Sequence, residues 1–246
     1  MLIFVLPEVL GSAEFLKSLF ALHNIQSEYF YPWQWITYMF IHSDFMHLLF
    51  NMLGLLVFGA LVENTLGGNR FALFYIASGV GAGLLYSFIN YFEIYGQLQA
   101  LEAYIANPNP NAFSLYLKEY FPSIYSQADG LIESYKMNPK NPETISATVD
   151  VLQNLYKTLL NRPMVGASGA VYAVMAAIAI FYPNIQFFLL LPPIPVKAKY
   201  LVGFYAALSF YNVVFPQTGS NIAHLAHLGG LVFGAVFALG IKKQLR

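Results

Sequence analysis

Hydrophobic positions along this chain run in long uninterrupted blocks, and polar residues enter those blocks singly. A helix needs about 20 mostly apolar residues to cross a bilayer. Residues 71–92 (FALFYIASGVGAGLLYSFINYF) and 164–182 meet that length without a charge. Residues 45–62 qualify with His47 and Asn51 inside, and 222–241 with His224 and His227 inside. Residues 200–215 are shorter but uncharged and make a fifth span. The first 24 residues fit less well, because the apolar head stops at Pro7 and Glu8, and Glu14 and Lys17 follow. The pattern therefore predicts an incomplete first span, with residues 1–6 as its outer end and residues 12–23 an amphipathic surface helix. On this reading the first span is truncated at the start of the sequence.

Composition agrees with the blocks. The 246 residues are 58% hydrophobic and 10% charged, with mean hydropathy +0.56, where soluble domains carry about 25% charge. Cysteine is absent, which excludes disulfides and thiolate chemistry. Net charge is zero and no basic cluster suggests nucleic acid. The fold class read from this is all-α, a polytopic membrane helix bundle with the lipid bilayer as its solvent. Arg70, Lys197, Lys199, Lys242, Lys243 and Arg246 fall on one side if five spans alternate. That side is assigned to the cytoplasm. The mouth holding Ser168 then faces the opposite, extracytoplasmic side.

Residues 93–163 differ. They hold half of the charged residues and the breakers NPNPN (107–111), FP (121–122) and NPKNP (138–142). LQALEAYIA, AFSLYLKEYF and ETISATVDVLQNLYKTLL read as short amphipathic helices between prolines. The expected organisation is residues 1–30 as truncated span and amphipathic segment, 31–92 as first loop with the second and third spans, 93–163 as an extracytoplasmic helical insert, and 164–246 as the last three spans.

Polar groups inside a span are costly, so each is a functional candidate. His47 and Asn51 lie four apart, on one helix face, where interhelical hydrogen bonding is the structural alternative. Ser168 sits among small residues in MVGASGAVYAVM. Such residues serve close helix packing or leave room around a nucleophile. A serine hydroxyl becomes nucleophilic when a base takes its proton, and His227 starts near the same membrane face. An oxyanion needs donors, and the Ser168 amide, the Asn51 amide and the His47 ring are suitable types.

These motifs resemble those of the rhomboid intramembrane serine proteases. GASG (166–169) is similar to the family's G-x-S-G, and AHLGGLVFG (226–234) to A-H-x-x-G-x-x-x-G. HSDFMHLLFNM (42–52) is similar to the H-x-x-x-N element. The resemblance implies Ser168 as nucleophile, His227 as base, His47 and Asn51 as oxyanion donors, and Tyr172 stacked on the histidine ring. It also implies that Gly230 and Gly234 bring the last span against the serine-bearing one. A Ser–His dyad needs no carboxylate, so Asp44 reads as an ordinary solvated residue. His224 is additional to the motif and reads as supporting or structural. The family's Trp-Arg pair stands here as Trp33-Gln34.

The activity implied is endopeptidase cleavage of transmembrane protein substrates by a multi-pass protein of the bacterial inner membrane, with no cofactor and no metal. Substrates of the family tend to have small residues at the cut. The insert at 93–163 resembles that of a bacterial subgroup. The alternative is a catalytically inactive rhomboid-like protein that binds membrane clients, though such relatives usually lack the serine or histidine. A zinc protease would use H-E-x-x-H, which is absent, and a transporter would not explain G-x-S-G paired with A-H-x-x-G. SGVGAG (78–83) and the aromatic run from Tyr29 to Trp35 read as helix packing and interfacial anchoring. FFLLLPPIPV (187–196) reads as a cytoplasmic-side loop in the interface.

Overall fold

In the computed structural model, residues 13–188, 194–215 and 222–244 are described. Residues 1–6, the expected outer end of a first span, lie outside them. The described chain is helical apart from one small hairpin. In order it forms α1 (Ala13–Phe20), α2 (Gln34–Thr37) continued by a 3-10 turn (Tyr38–Phe40), and α3 (Phe45–Leu66). Then come α4 (Gly68–Ala106), α5 (Pro110–Tyr120), α6 (Pro122–Tyr125), α7 (Asp129–Met137), α8 (Pro142–Leu160) and α9 (Ser168–Phe181). The chain ends with β1 (Gln186–Phe188), β2 (Pro195–Lys197), α10 (Ala198–Val214) and α11 (Ile222–Gln244).

Two compact units divide these elements: among the described residues, 13–23, 29–88 and those from 163 onward in one, and 24–28 with 89–162 in the other. The helix α4 contributes to both. The pattern ends a span at residue 92, yet the helix runs to Ala106. No proline falls between Phe71 and Asn107 to stop it.

In the first unit, α3, α4 and α11 are long and apolar enough to cross a membrane. The helices α9 and α10 are shorter, 14 and 17 residues, so α9 rises only about 21 Å. Its apolar length is shorter than the block at 164–182 because residues 163–167 lie outside the helix. Met164 exchanges two backbone hydrogen bonds with Leu22, 2.8 and 2.9 Å. The interior of α9 is buried nearly all round, from Gly169 to Ile178, which marks it as the central helix. Within this core Val62, Leu66 and Phe74 pack with Ala173, Val174 and Ala177. A π-helical turn, Leu55–Gly59, interrupts α3 one residue after Gly54. A Cβ on Gly54 would stand 2.9 Å from Val171, so α3 and α9 approach closely there.

The same unit holds the first loop. Gln34 is fully buried; its side-chain amide donates to the carbonyls of Ser18, Leu19 and Tyr29, and its carbonyl accepts from the His23 N–H. Thr37 and Trp33 donate to the carbonyls of Phe20 and Leu19. Part of the segment at 187–196 forms β1 and β2, antiparallel with Phe187 opposite Val196.

The second unit has its own core of Leu101, Tyr104, Phe113, Leu117, Ile132, Tyr135 and Leu152. Its proline-rich breakers are helix starts. Asn109 and Asn141 cap α5 and α8 with their side-chain oxygens, and Pro110 and Pro142 take the first helical position. Asn24 joins this unit by donating to Asn90 Oδ1 at 2.7 Å.

Candidate active site

Ser168 is the first residue of α9, and the chain reaches it through a backbone that only glycine adopts easily. Gly166 has φ +112°, and its N–H donates to the Tyr38 carbonyl at 3.0 Å. A Cβ there would lie 2.6 Å from the His47 ring. Glycine is thus needed twice, for conformation and for space. The first i→i−4 bond of the helix runs from the Val171 N–H to the Ala167 carbonyl. The amides of Ser168 to Ala170 precede it, as first-turn amides do.

The approach of α11 supplies the partner. A Cβ on Gly230 would collide with the Gly169 carbonyl oxygen, and one on Gly234 with the Ala173 backbone. Small residues let the two backbones touch, as membrane helix pairs require. That contact sets His227 Nε2 2.8 Å from Ser168 Oγ. Tyr172, one turn beyond the serine, lies flat on the His227 ring with centroids 4.1 Å apart and planes 6° apart. The other ring nitrogen, Nδ1, is buried without a hydrogen-bond partner among the described residues.

His47 and Asn51 occupy successive turns of α3 and line the same cavity as Ser168, Tyr172 and His227. The Asn51 amide donates to the His47 carbonyl at 2.8 Å, leaving its second N–H for the cavity. The cavity has a volume of ≈ 760 Å³ and extends past Met175 to Phe187 and Phe188. All five residues marked in the sequence therefore border one space. His224 does not line it; its ring stands edge-on to His227 at 5.8 Å.

Asp44 is exposed, as the sequence reading has it, yet its capping role and the part of Ser43 lie beyond that reading. Asp44 caps α3 by accepting the His47 N–H at 2.9 Å, and it accepts the Ser43 hydroxyl proton at 2.7 Å. These bonds, the backbone one foremost, hold its carboxyl below its ordinary value. Ser43 Oγ also lies 3.0 Å from His47 Nδ1. The signal was present, since an aspartate just before an apolar helical run is a capping pattern. His42 packs edge-on to His47, 5.1 Å between centroids, and burial pushes its pKa down to about 4, with His47 nearby adding to the effect.

A family model of the rhomboid domain matches residues 29–99 and 144–244. This chain belongs to the rhomboid family. It is an integral membrane protein of a family of intramembrane proteases. Residues 100–143 fall outside the match. The rhomboid protease GlpG of Yersinia enterocolitica is 26% identical over 106 residues, covering 42% of this chain and 38% of that protein. GlpG of Yersinia pestis is 30% identical over 82 residues, 32% of this chain and 30% of that protein. GlpG of Yersinia pseudotuberculosis matches to the same extent. The chain thus spans well under half the length of these curated relatives.

Proposed function

We propose that this rhomboid is an active serine endopeptidase that hydrolyses a peptide bond within the transmembrane helix of a membrane-protein substrate. The observation that carries the reading is the 2.8 Å approach of Ser168 Oγ to His227 Nε2, with the imidazole seated on Tyr172. In this mechanism neutral His227 accepts the Ser168 hydroxyl proton at Nε2 while Oγ attacks the scissile carbonyl carbon. The tetrahedral oxyanion takes hydrogen bonds from the Ser168 amide, the Asn51 side chain and the His47 ring. Removing one such donor typically slows turnover by about 10²–10³. His227 then returns the proton to the leaving amine, and the C–N bond breaks to give an acyl-serine. Water, deprotonated by His227, attacks the ester, releases the new carboxyl end and restores Ser168.

A substrate helix keeps its carbonyls hydrogen-bonded in lipid, so the segment to be cut must unwind before a carbonyl reaches Oγ. The cavity beside Ser168, between Val57 and Phe58 of α3 and Leu201 and Tyr205 of α10, suits an apolar unwound segment. We place the protein in the bacterial cell membrane with the Ser168 end outside. Supporting this, Lys242 donates to the Ile180 carbonyl and Lys199 N–H to the Pro183 carbonyl, so the basic residues gather at the far end of α9.

A fluorophosphonate probe on detergent-solubilised protein tests the reading. The parent should label, Ser168→Ala and His227→Ala should not, and EDTA should leave labelling and cleavage of a reporter helix unchanged. A parent that inserts in the membrane but neither labels nor cleaves would instead support a client-binding rhomboid.

A further inference from the structure

A second cavity lies away from the proposed dyad, between the start of α4 and the end of α11. Its volume is ≈ 520 Å³, and it is lined by Leu73, Phe74, Ala77, Val236 and Phe237, with Gly240 in its wall and Arg70 at its rim. Leu73 and Val236 are exposed in the chain itself, as expected of a lipid-facing groove. The space beside Gly240 is open, since a Cβ there would meet nothing within 4 Å.

The rim charge has no partner among the described residues. Arg70 is exposed and makes no ion pair or hydrogen bond among the described residues. Lys243 lies exposed in the last turn of α11, between the groove-lining residues Ile241 and Gln244, while Lys242 of the same turn donates to the Ile180 carbonyl of α9. Glu63 is the one acid near this end among the described residues, and it turns toward Gly68, 3.4 Å from the Cβ position there. The end of the groove is therefore an unneutralised cationic rim above an apolar trough. A basic pocket between transmembrane helices matches the chemistry of an anionic lipid headgroup.

We propose that this groove is a binding site for an anionic phospholipid. The phosphate sits on the Arg70 guanidinium, which offers a planar bidentate fork, with Lys243 adding field. One acyl chain lies along Leu73, Ala77 and Phe237 over Gly240. The site is independent of the catalytic reading, since none of its residues borders the Ser168 cavity.

Native mass spectrometry of the detergent-purified full chain, titrated with phosphatidylglycerol or phosphatidylcholine of the same acyl chains, tests this. The parent should retain phosphatidylglycerol at least about fivefold better, roughly the effect of one cation near the surface. Arg70→Gln should bring that ratio close to one, and Gly240→Leu, which fills the trough, should weaken both lipids. Equal retention of the two lipids by the parent, or a ratio unchanged in Arg70→Gln, overturns the proposal. A second copy of the chain is the competing occupant. Leu73→Cys in this otherwise cysteine-free chain should then give a covalent dimer in membranes under oxidation, and such a dimer would also overturn it.

Discussion

The Tyr172 ring lies 4.1 Å from the His227 ring and parallel to it within 6°. No carboxylate holds the opposite nitrogen of His227 among the described residues. In a Ser–His–Asp site the acid fixes the tautomer and the angle of the imidazole; here a flat aromatic surface is what restrains the ring. The Tyr172 ring also meets Tyr205 edge-on, 6.2 Å between centroids, which anchors the platform to α10. An aromatic pair contributes about 0.5–1.5 kcal/mol beyond its buried area. Tyr172→Ala should therefore lower kcat by about tenfold, and Tyr172→Phe, which keeps the ring, should stay within about threefold of the parent. Steady-state cleavage of a reporter helix reads both. Equal losses would shift the role from the ring to the hydroxyl.

Asn51 divides its amide between structure and site. One N–H is committed to the His47 carbonyl, so Asn51→Ala removes at most one donor from the proposed oxyanion site. We expect kcat to fall by about 10²–10³ with KM little changed, less than the loss in Ser168→Ala. A rise in KM at constant kcat would make Asn51 a substrate-docking group instead.

The proposed dyad was legible because it is written in short spacings. Four residues from Ser168 to Tyr172 and three and seven from His227 to Gly230 and Gly234 place their side chains on fixed helix faces. Those glycines also predict close approach, since only their missing Cβ atoms let α11 touch the Gly169 and Ala173 backbones. Gln34 was not legible. Its partners, Ser18, Leu19, His23 and Tyr29, are backbone groups, and backbone acceptors leave no trace in residue type. Hairpin β1–β2 was hidden as well, because a proline-rich apolar segment carries no alternation of polar and apolar residues. The run of α4 to Ala106 went unseen because the boundary was set by hydropathy, whereas helices end at caps and prolines.

Acid should weaken the fold in two stages. Burial, aided by His47, pushes the His42 pKa to about 4, below the about 6.5 of an unfolded histidine. Between those values the unfolded chain binds the proton and the folded one does not. This contribution is complete above about pH 6.5 and is lost progressively toward pH 4. The depressed Asp44 carboxyl acts lower, since its contribution is present above the ordinary value of about 3.9 and lost as pH falls through the folded one. Thermal unfolding in detergent should show His42→Asn reducing the limb between pH 6.5 and 4, to which His23, also lowered by burial, contributes as well, while keeping the lower limb. Asp44→Asn, which retains a capping oxygen, should do the reverse. A parent midpoint that is flat from pH 7 to 4.5 would refute the first assignment.

Gln34 should govern the stability of the first loop and not the chemistry. Its side chain satisfies three carbonyls and one N–H in a site closed to solvent. Truncation to alanine leaves those groups unpaired, and an unsatisfied buried polar group costs about 1–3 kcal/mol. Partial relaxation makes a total loss of about 3–5 kcal/mol reasonable for Gln34→Ala, enough to lower the thermal midpoint by several degrees. The informative companion is Gln34→Arg, which introduces the residue of the Trp-Arg pair. A guanidinium can donate to the Ser18, Leu19 and Tyr29 carbonyls, but it has no acceptor for the His23 N–H and brings a buried charge without a counter-ion. Gln34→Arg should therefore be destabilised too, through the His23 contact and the charge. Fluorophosphonate labelling of Ser168 at low temperature should persist in both variants, because Gln34 does not line the Ser168 cavity. If Gln34→Arg instead matched the parent midpoint, the four-bond clamp would not be what holds α1 against the first loop.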